Sequence, residues 1–191
     1  PKSPTEFPSI RTGNASCSSR DTVGIVGFPS VSTLINSNAK PPVDLSDLIR
    51  ELPIKVIADH QGGMKGLSAL PKSVTDVTAQ PGFESLISLA KTGRVFIKNS
   101  GFYRSSKLTT GGYEDLEPLI RALAREVPQQ LIWGSDWSHT GSGENRIAAT
   151  RDILEKFRTV DNVAVLKNIR EWVGPDLWWH MTVETPEKVY A

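Results

Sequence analysis

The sequence predicts an α/β fold on a parallel sheet of about four β/α units. Two observations carry this reading. Strand and helix signals alternate along the chain, which implies parallel strands joined by right-handed crossovers. In addition, three short apolar runs end in polar signatures: Ile54 to Ala58 in Asp59-His60, Arg94 to Ile97 in Lys98-Asn99-Ser100-Gly101, and Leu131 to Trp133 in Gly134-Ser135-Asp136-Trp137-Ser138-His139. Apolar runs suit strands buried on both faces, and a β/α barrel carries its chemistry at the C-terminal ends of its strands. One polar strand end is more often a helix cap or a satisfied core group, but three in series point to a site.

The elements follow in order. Residues 1–21 are rich in Ser, Thr, Pro and Asn without periodicity and are expected to be irregular, leaving 22–191 as the folded part. Thr22 to Phe28, punctuated by Gly24 and Gly27, reads as a strand. Leu45, Leu48, Ile49 and Leu52 then recur at helical spacing, with Asp44 as N-cap and Pro53 as the stop before strand Ile54 to Ala58. Phe83, Leu86, Ile87 and Ala90 mark the face of the next helix, and Gly93 fits the position just past its end, before strand Val95 to Ile97. Leu116, Leu119, Ile120, Leu123, Ala124 and Val127 give a strongly amphipathic helix that stops near Pro128, and Leu131 to Trp133 is the strand after it. Further helices are expected at about 145–158 and 162–173, with a last one after Pro186. Gly62-Gly63 and Gly111-Gly112 are isolated pairs without a phosphate-loop pattern, and they read as turns.

Composition narrows the function. The 191 residues can bury a core, but they are short for a whole eight-stranded barrel, which takes about 250. Lys and Arg number 22 against 21 Asp and Glu, so nothing favours nucleic acid or an anionic membrane surface. The single cysteine, Cys17, excludes an internal disulfide and a Cys-rich metal site, which makes a reducing, cytoplasmic setting the expectation. No apolar run approaches the roughly 20 residues that span a bilayer. The chain begins with Pro1 rather than Met, which leaves room for residues upstream.

The stretches Asp59-His60-Gln61-Gly62, Lys98-Asn99-Ser100-Gly101-Phe102-Tyr103-Arg104 and Trp133-Gly134-Ser135-Asp136-Trp137-Ser138-His139 resemble the last strand-end motifs of the amidohydrolase-related (amidohydrolase 2) family, in its lactonase-like branch. Thr185-Pro186-Glu187-Lys188-Val189-Tyr190 is similar to that family's closing Asn-Pro-x-x-Leu-Tyr helix. The resemblance implies that residues 22–191 are the C-terminal half of a TIM-type (β/α)8 barrel, with Asp59-His60 ending the sixth strand, Lys98 to Ser100 the seventh and Asp136 the eighth. It also implies a hydrolase of a small carboxylated lactone. The chain departs from the family in lacking the first-strand His-x-His pair, its histidines being His60, His139 and His180. Ser138, Asn99 and Thr185 are milder departures. A half barrel would leave sheet edges open, which predicts self-association and little activity for the chain alone.

Opening a lactone needs a base for water and an electrophile for the oxyanion. Asp136 is the candidate base, its pKa expected to rise toward neutrality in a partly desolvated mouth, and His60 is the candidate electrophile. His60 would donate to the carbonyl oxygen or, with Asp136, ligate a divalent metal such as zinc or manganese; the sequence leaves open whether any metal is used. Arg104 and Tyr103 are candidate clamps for a substrate carboxylate, with His139 lining the pocket. Asp59 is read as orienting a neighbour, and His180, among Trp178, Trp179 and Met181, as packing. A metal-dependent decarboxylase and a non-catalytic barrel remnant are the competing readings.

Overall fold

The computed structural model describes residues 22–25, 49, 53–141 and 155–190. Its strands are β1 (Thr22–Ile25), β2 (Lys55–Ala58), β3 (Val95–Asn99) and β4 (Leu131–Trp133), hydrogen-bonded in that order. All three pairings are parallel, with Thr22 against Lys55, Val56 against Val95 and Ile97 against Leu131. This is the sheet that the alternation predicts. A consequence is that every strand presents its C-terminal end to the same rim.

Alternation along the strands divides the core in two. Val56, Ala58, Val95, Ile97 and Leu131 pack with the helices α1 (Phe83–Lys91), α3 (Glu117–Glu126) and α4 (Asn162–Val173), whereas Ile57, Phe96 and Ile132 form a separate cluster with Val189. Successive strand residues face opposite ways. Lys98 and Asp59, in step with Phe96 and Ile57, therefore join the second face, and their side chains form an ion pair of 2.8 Å. Asp59 thus holds a neighbour, as the sequence suggests.

The helices follow from local chemistry. Gly93, at φ 76°, ends α1, and its N–H donates to the Ala90 carbonyl at 2.9 Å. In α3, Leu119, Ile120, Ala122 and Leu123 are buried on one stripe, and Val127 closes the helix on the Leu123 carbonyl before Pro128. The Asp161 side chain caps α4 by accepting from the Ala164 N–H at 2.9 Å. A short helix α2 (Phe102–Ser105) follows β3 directly and lies at the rim.

Three expectations need correction or fall outside view. The helix expected over 44–52 lies mostly outside the described residues, where only Ile49, helical and buried, can be seen. That expected at 145–158 is outside them up to 154, and 155–158 are not helical. The reason is visible: the Arg158 N–H donates to the His139 carbonyl at 2.9 Å, tying this segment to the β4 loop instead of to a preceding turn. The last helix begins well before Pro186. It runs through α5 (Pro175–Trp179), a π-helical turn (His180–Glu184) and α6 (Thr185–Tyr190), with Met181 fully buried. Pro186 has no N–H to donate, which suits a widened turn just before it.

Gly62 ties the fold to the rim. Its φ is 66°, and a Cβ there would lie 2.6 Å from Leu86 Cδ2 in the buried face of α1. Gly62→Ala should cost at least about 1 kcal/mol, the scale of a left-handed penalty. Chemical denaturation checks this: the midpoint should fall with the slope unchanged, and an unaltered midpoint contradicts it.

Candidate active site

The loops leaving β2, β3 and β4 converge. A Cβ placed on Gly101, whose φ is 54°, would sit 2.7 Å from His60 Nδ1 and 2.8 Å from Asp136 Oδ2, so the two side chains named as the catalytic pair flank one glycine. A residue with any side chain would separate them. The backbone is bent to achieve this: His60, Gln61, Asp136 and His139 all adopt left-handed φ, at 55°, 55°, 60° and 57°. Non-glycine residues pay a steric cost there that the surroundings must over-determine, a condition that clusters at functional sites.

Asp136 is held by two donors on one oxygen. The Tyr103 hydroxyl donates to Oδ2 at 2.6 Å and Arg104 Nε donates to it at 2.9 Å. Burial alone would raise the Asp136 pKa, but the Tyr103 and Arg104 bonds and the charges of His60 and Arg104 outweigh it, leaving the group below the ordinary carboxylate value. This corrects the expectation of a raised pKa: desolvation was foreseen, the paired donors were not. Burial and the bond to Asp136 push the Tyr103 hydroxyl up to about 12, so it remains a donor at any working pH. For His60, burial dominates and lowers the pKa despite the opposing charges of Asp136 and Asp59, which favours neutral imidazole at pH 7.

The candidate clamps are placed differently from one another. Arg104 spends Nε on Asp136, and Nη2 reaches the Thr140 carbonyl and hydroxyl at 3.3 and 3.2 Å. Two cations lie close to the Tyr103 ring, Arg104 Cζ at 5.0 Å and Arg158 Cζ at 5.3 Å from its centroid. His139 is 7 % exposed; it packs edge-on against Tyr103 with centroids 5.9 Å apart and meets Asn162 Nδ2 through Nε2 at 3.1 Å. His139 therefore packs against Tyr103. Trp137, by contrast, is exposed at the rim, and His180 pairs with Glu184 in the π-helical turn.

Sequence reading missed Ser100, Gln61 and Arg158 as members of this cluster. Ser100 Oγ lies within reach of both the His60 N–H and Nδ1, and Gln61, fully buried, bridges the Ser100 carbonyl and the Ser105 hydroxyl. Both are polar residues beside a strand end, which is the signal that could have found them. Arg158 lies in a segment without motif and had none.

A resident metal was left open by the sequence. Among the described residues no three His, Cys, Asp or Glu side chains gather to hold one. Two candidate ligands are present, and the guanidinium 2.9 Å from Asp136 Oδ2 takes up that oxygen and repels a cation. The described residues do not fit the group.

The C-terminal rim of the parallel sheet thus gathers a carboxylate, an imidazole and two guanidiniums. The chain belongs to the amidohydrolase family, whose pattern matches residues 26–173. It is similar to 4-sulfomuconolactone hydrolase of Hydrogenophaga intermedia, with 32 % identity over 97 residues, covering 51 % of this chain and 29 % of that protein. It is also similar to D-galactarolactone isomerase of Agrobacterium fabrum, with 30 % identity over 97 residues, covering 50 % of this chain and 30 % of that one. Among solved structures it shares its fold with a probable 2-pyrone-4,6-dicarboxylic acid hydrolase from Acinetobacter baumannii, at a TM-score of 0.54 and 18 % identity, over 89 % of this chain and 51 % of that chain. The chain thus spans about half of that structure, and its matches cover under a third of the two relatives.

Proposed function

We propose that this chain carries the water-activating part of a site that hydrolyses a small carboxylated lactone, on the C-terminal half of a (β/α)8 barrel. The observation that carries the proposal is the meeting of His60 and Asp136 across Gly101 at one sheet rim. Likeness to two proteins named for lactone substrates supports the substrate class. Coverage of about half of a related structure supports the half barrel. In that arrangement β1 and β4 are the outer strands of the described sheet, through which self-association is expected.

The chemistry runs as follows. Asp136, ionised at neutral pH, accepts a proton from water through its second oxygen while Tyr103 and Arg104 hold the first. The hydroxide so formed attacks the lactone carbonyl, and a His60 N–H bonds to the developing oxyanion. Collapse of the tetrahedral species breaks the ring C–O bond, and Asp136 returns its proton to the departing alkoxide. Arg104 and Arg158, both close to the Tyr103 ring, supply positive charge for a substrate carboxylate, with His139 packed edge-on against Tyr103.

The test is an assay against paired lactones with and without a carboxylate, on the 191-residue chain and on any longer product its gene encodes. Hydrolysis of the carboxylated members, lost in Asp136→Asn, supports the proposal; release of carbon dioxide or ring isomerisation without hydrolysis overturns it. A pH dependence follows as well. Both pKa values lie below their ordinary positions, so each group keeps its working charge as pH rises from about 7 to 9, and enzymatic kcat/KM should be level over that range. An acid limb with a midpoint near 7 would contradict the lowered pKa of one or both groups.

A further inference from the structure

The neutral imidazole of His60 carries one ring proton, and the site works as described only if that proton is on Nε2. We propose that Ser100 is a positioning residue that locks His60 in its Nε2–H tautomer, so that the ring presents an N–H donor to the open side of the rim.

Hydrogen-bond satisfaction around the Ser100 hydroxyl selects the tautomer. Ser100 Oγ lies 3.3 Å from the His60 backbone nitrogen and 3.1 Å from Nδ1. The backbone N–H can only donate, so Oγ accepts there. Ser100 is 1 % exposed, and among the described residues its hydroxyl has no other partner. Were Nδ1 protonated, Oγ would accept twice and its own hydrogen would be buried without an acceptor, a state that native interiors avoid. Donating that hydrogen to Nδ1 satisfies every group at once. Nδ1 is then an acceptor, and the ring proton resides on Nε2.

The brace is itself fixed. Gln61 Nε2 donates to the Ser100 carbonyl at 3.0 Å, and Gln61 Oε1 accepts from the Ser105 hydroxyl at 3.0 Å, with Gln61 wholly buried. The end of β2 is thereby stapled to the end of β3, and the hydroxyl has little freedom to turn away. A cation ligand would need a lone pair at Nε2, the opposite tautomer, whereas an oxyanion needs the N–H that this arrangement presents.

The purpose of that N–H rests on the lactone reading, but the tautomer can be measured without turnover. The 191-residue chain, labelled with 15N at histidine, is observed by long-range proton–nitrogen correlation at about pH 8, above the imidazole range. His60→Ala identifies the His60 signals among those of the three histidines. The wild type is expected to show Nδ1 unprotonated and Nε2 protonated, the two nitrogens resonating far apart. Ser100→Ala should draw them together toward a mixture of tautomers, Ser100→Thr, which keeps a hydroxyl, should restore the separation, and the His139 and His180 signals should stay in place throughout. A protonated Nδ1 or an averaged pair in the wild type, or a Ser100→Ala spectrum identical to it, overturns the inference. A locked tautomer in a chain that opens no lactone keeps this inference and removes the lactone reading; lactone turnover with an averaged tautomer does the reverse.

Discussion

Asp136→Asn should lower lactone turnover by at least about a hundredfold in any form of the protein that is active, the lower end for loss of a general base. The substitution is chosen because it spares the surroundings. The side-chain oxygen of Asn can still accept from the Tyr103 hydroxyl and Arg104 Nε, now at 2.6 and 2.9 Å from Oδ2, so the loop keeps its anchors. What disappears is the ability to take a proton from water. The loss should therefore fall on kcat, with KM changed much less. Steady-state kinetics on a carboxylated lactone decides it, and near-normal kcat would remove Asp136 from the mechanism.

Gly101→Ala should have an effect of similar size for a different reason. The added methyl would lie 2.7 Å from His60 Nδ1 and 2.8 Å from Asp136 Oδ2, at a residue whose φ of 54° already disfavours a side chain. His60, Asp136 or both must move. Displacement by about 1 Å in a preorganised site costs on the order of a hundredfold in rate. Kinetics together with denaturation check this: turnover should collapse while a cooperative unfolding transition remains. Retention of most of the activity would mean that His60 and Asp136 do not act across this glycine.

Much of the frame was legible because it depends on local signals. Apolar runs marked β2, β3 and β4, the stripe of Leu119, Ile120 and Leu123 marked α3, and Gly93 marked the end of α1. Parallel strands then place Asp59-His60, Lys98 to Gly101 and Asp136 on one rim without further information. The wiring between those residues was not legible. That Tyr103 and Arg104 share Oδ2 of Asp136 follows from α2 turning directly after β3 and from a left-handed Asp136, and neither conformation is written in hydrophobic periodicity. The direction of the Asp136 pKa was misjudged for the same reason, since burial can be guessed from a strand end but the partners of a carboxylate cannot. Segment 155–158 shows the limit from another side. Phe157 is exposed, and the Arg158 N–H bonds to the His139 carbonyl rather than to a preceding helical turn.

The central claim is that His60 and Asp136 act as one unit at the rim, and a double-variant cycle in an active form tests it most directly. His60→Ala, Asp136→Asn and the combined variant are compared with the wild type in kcat/KM on one carboxylated lactone. Groups that serve the same transition state are strongly non-additive. The account predicts that the combined variant loses little more than the worse of the two single variants. Losses that multiply, or a single variant close to the wild type, would contradict it.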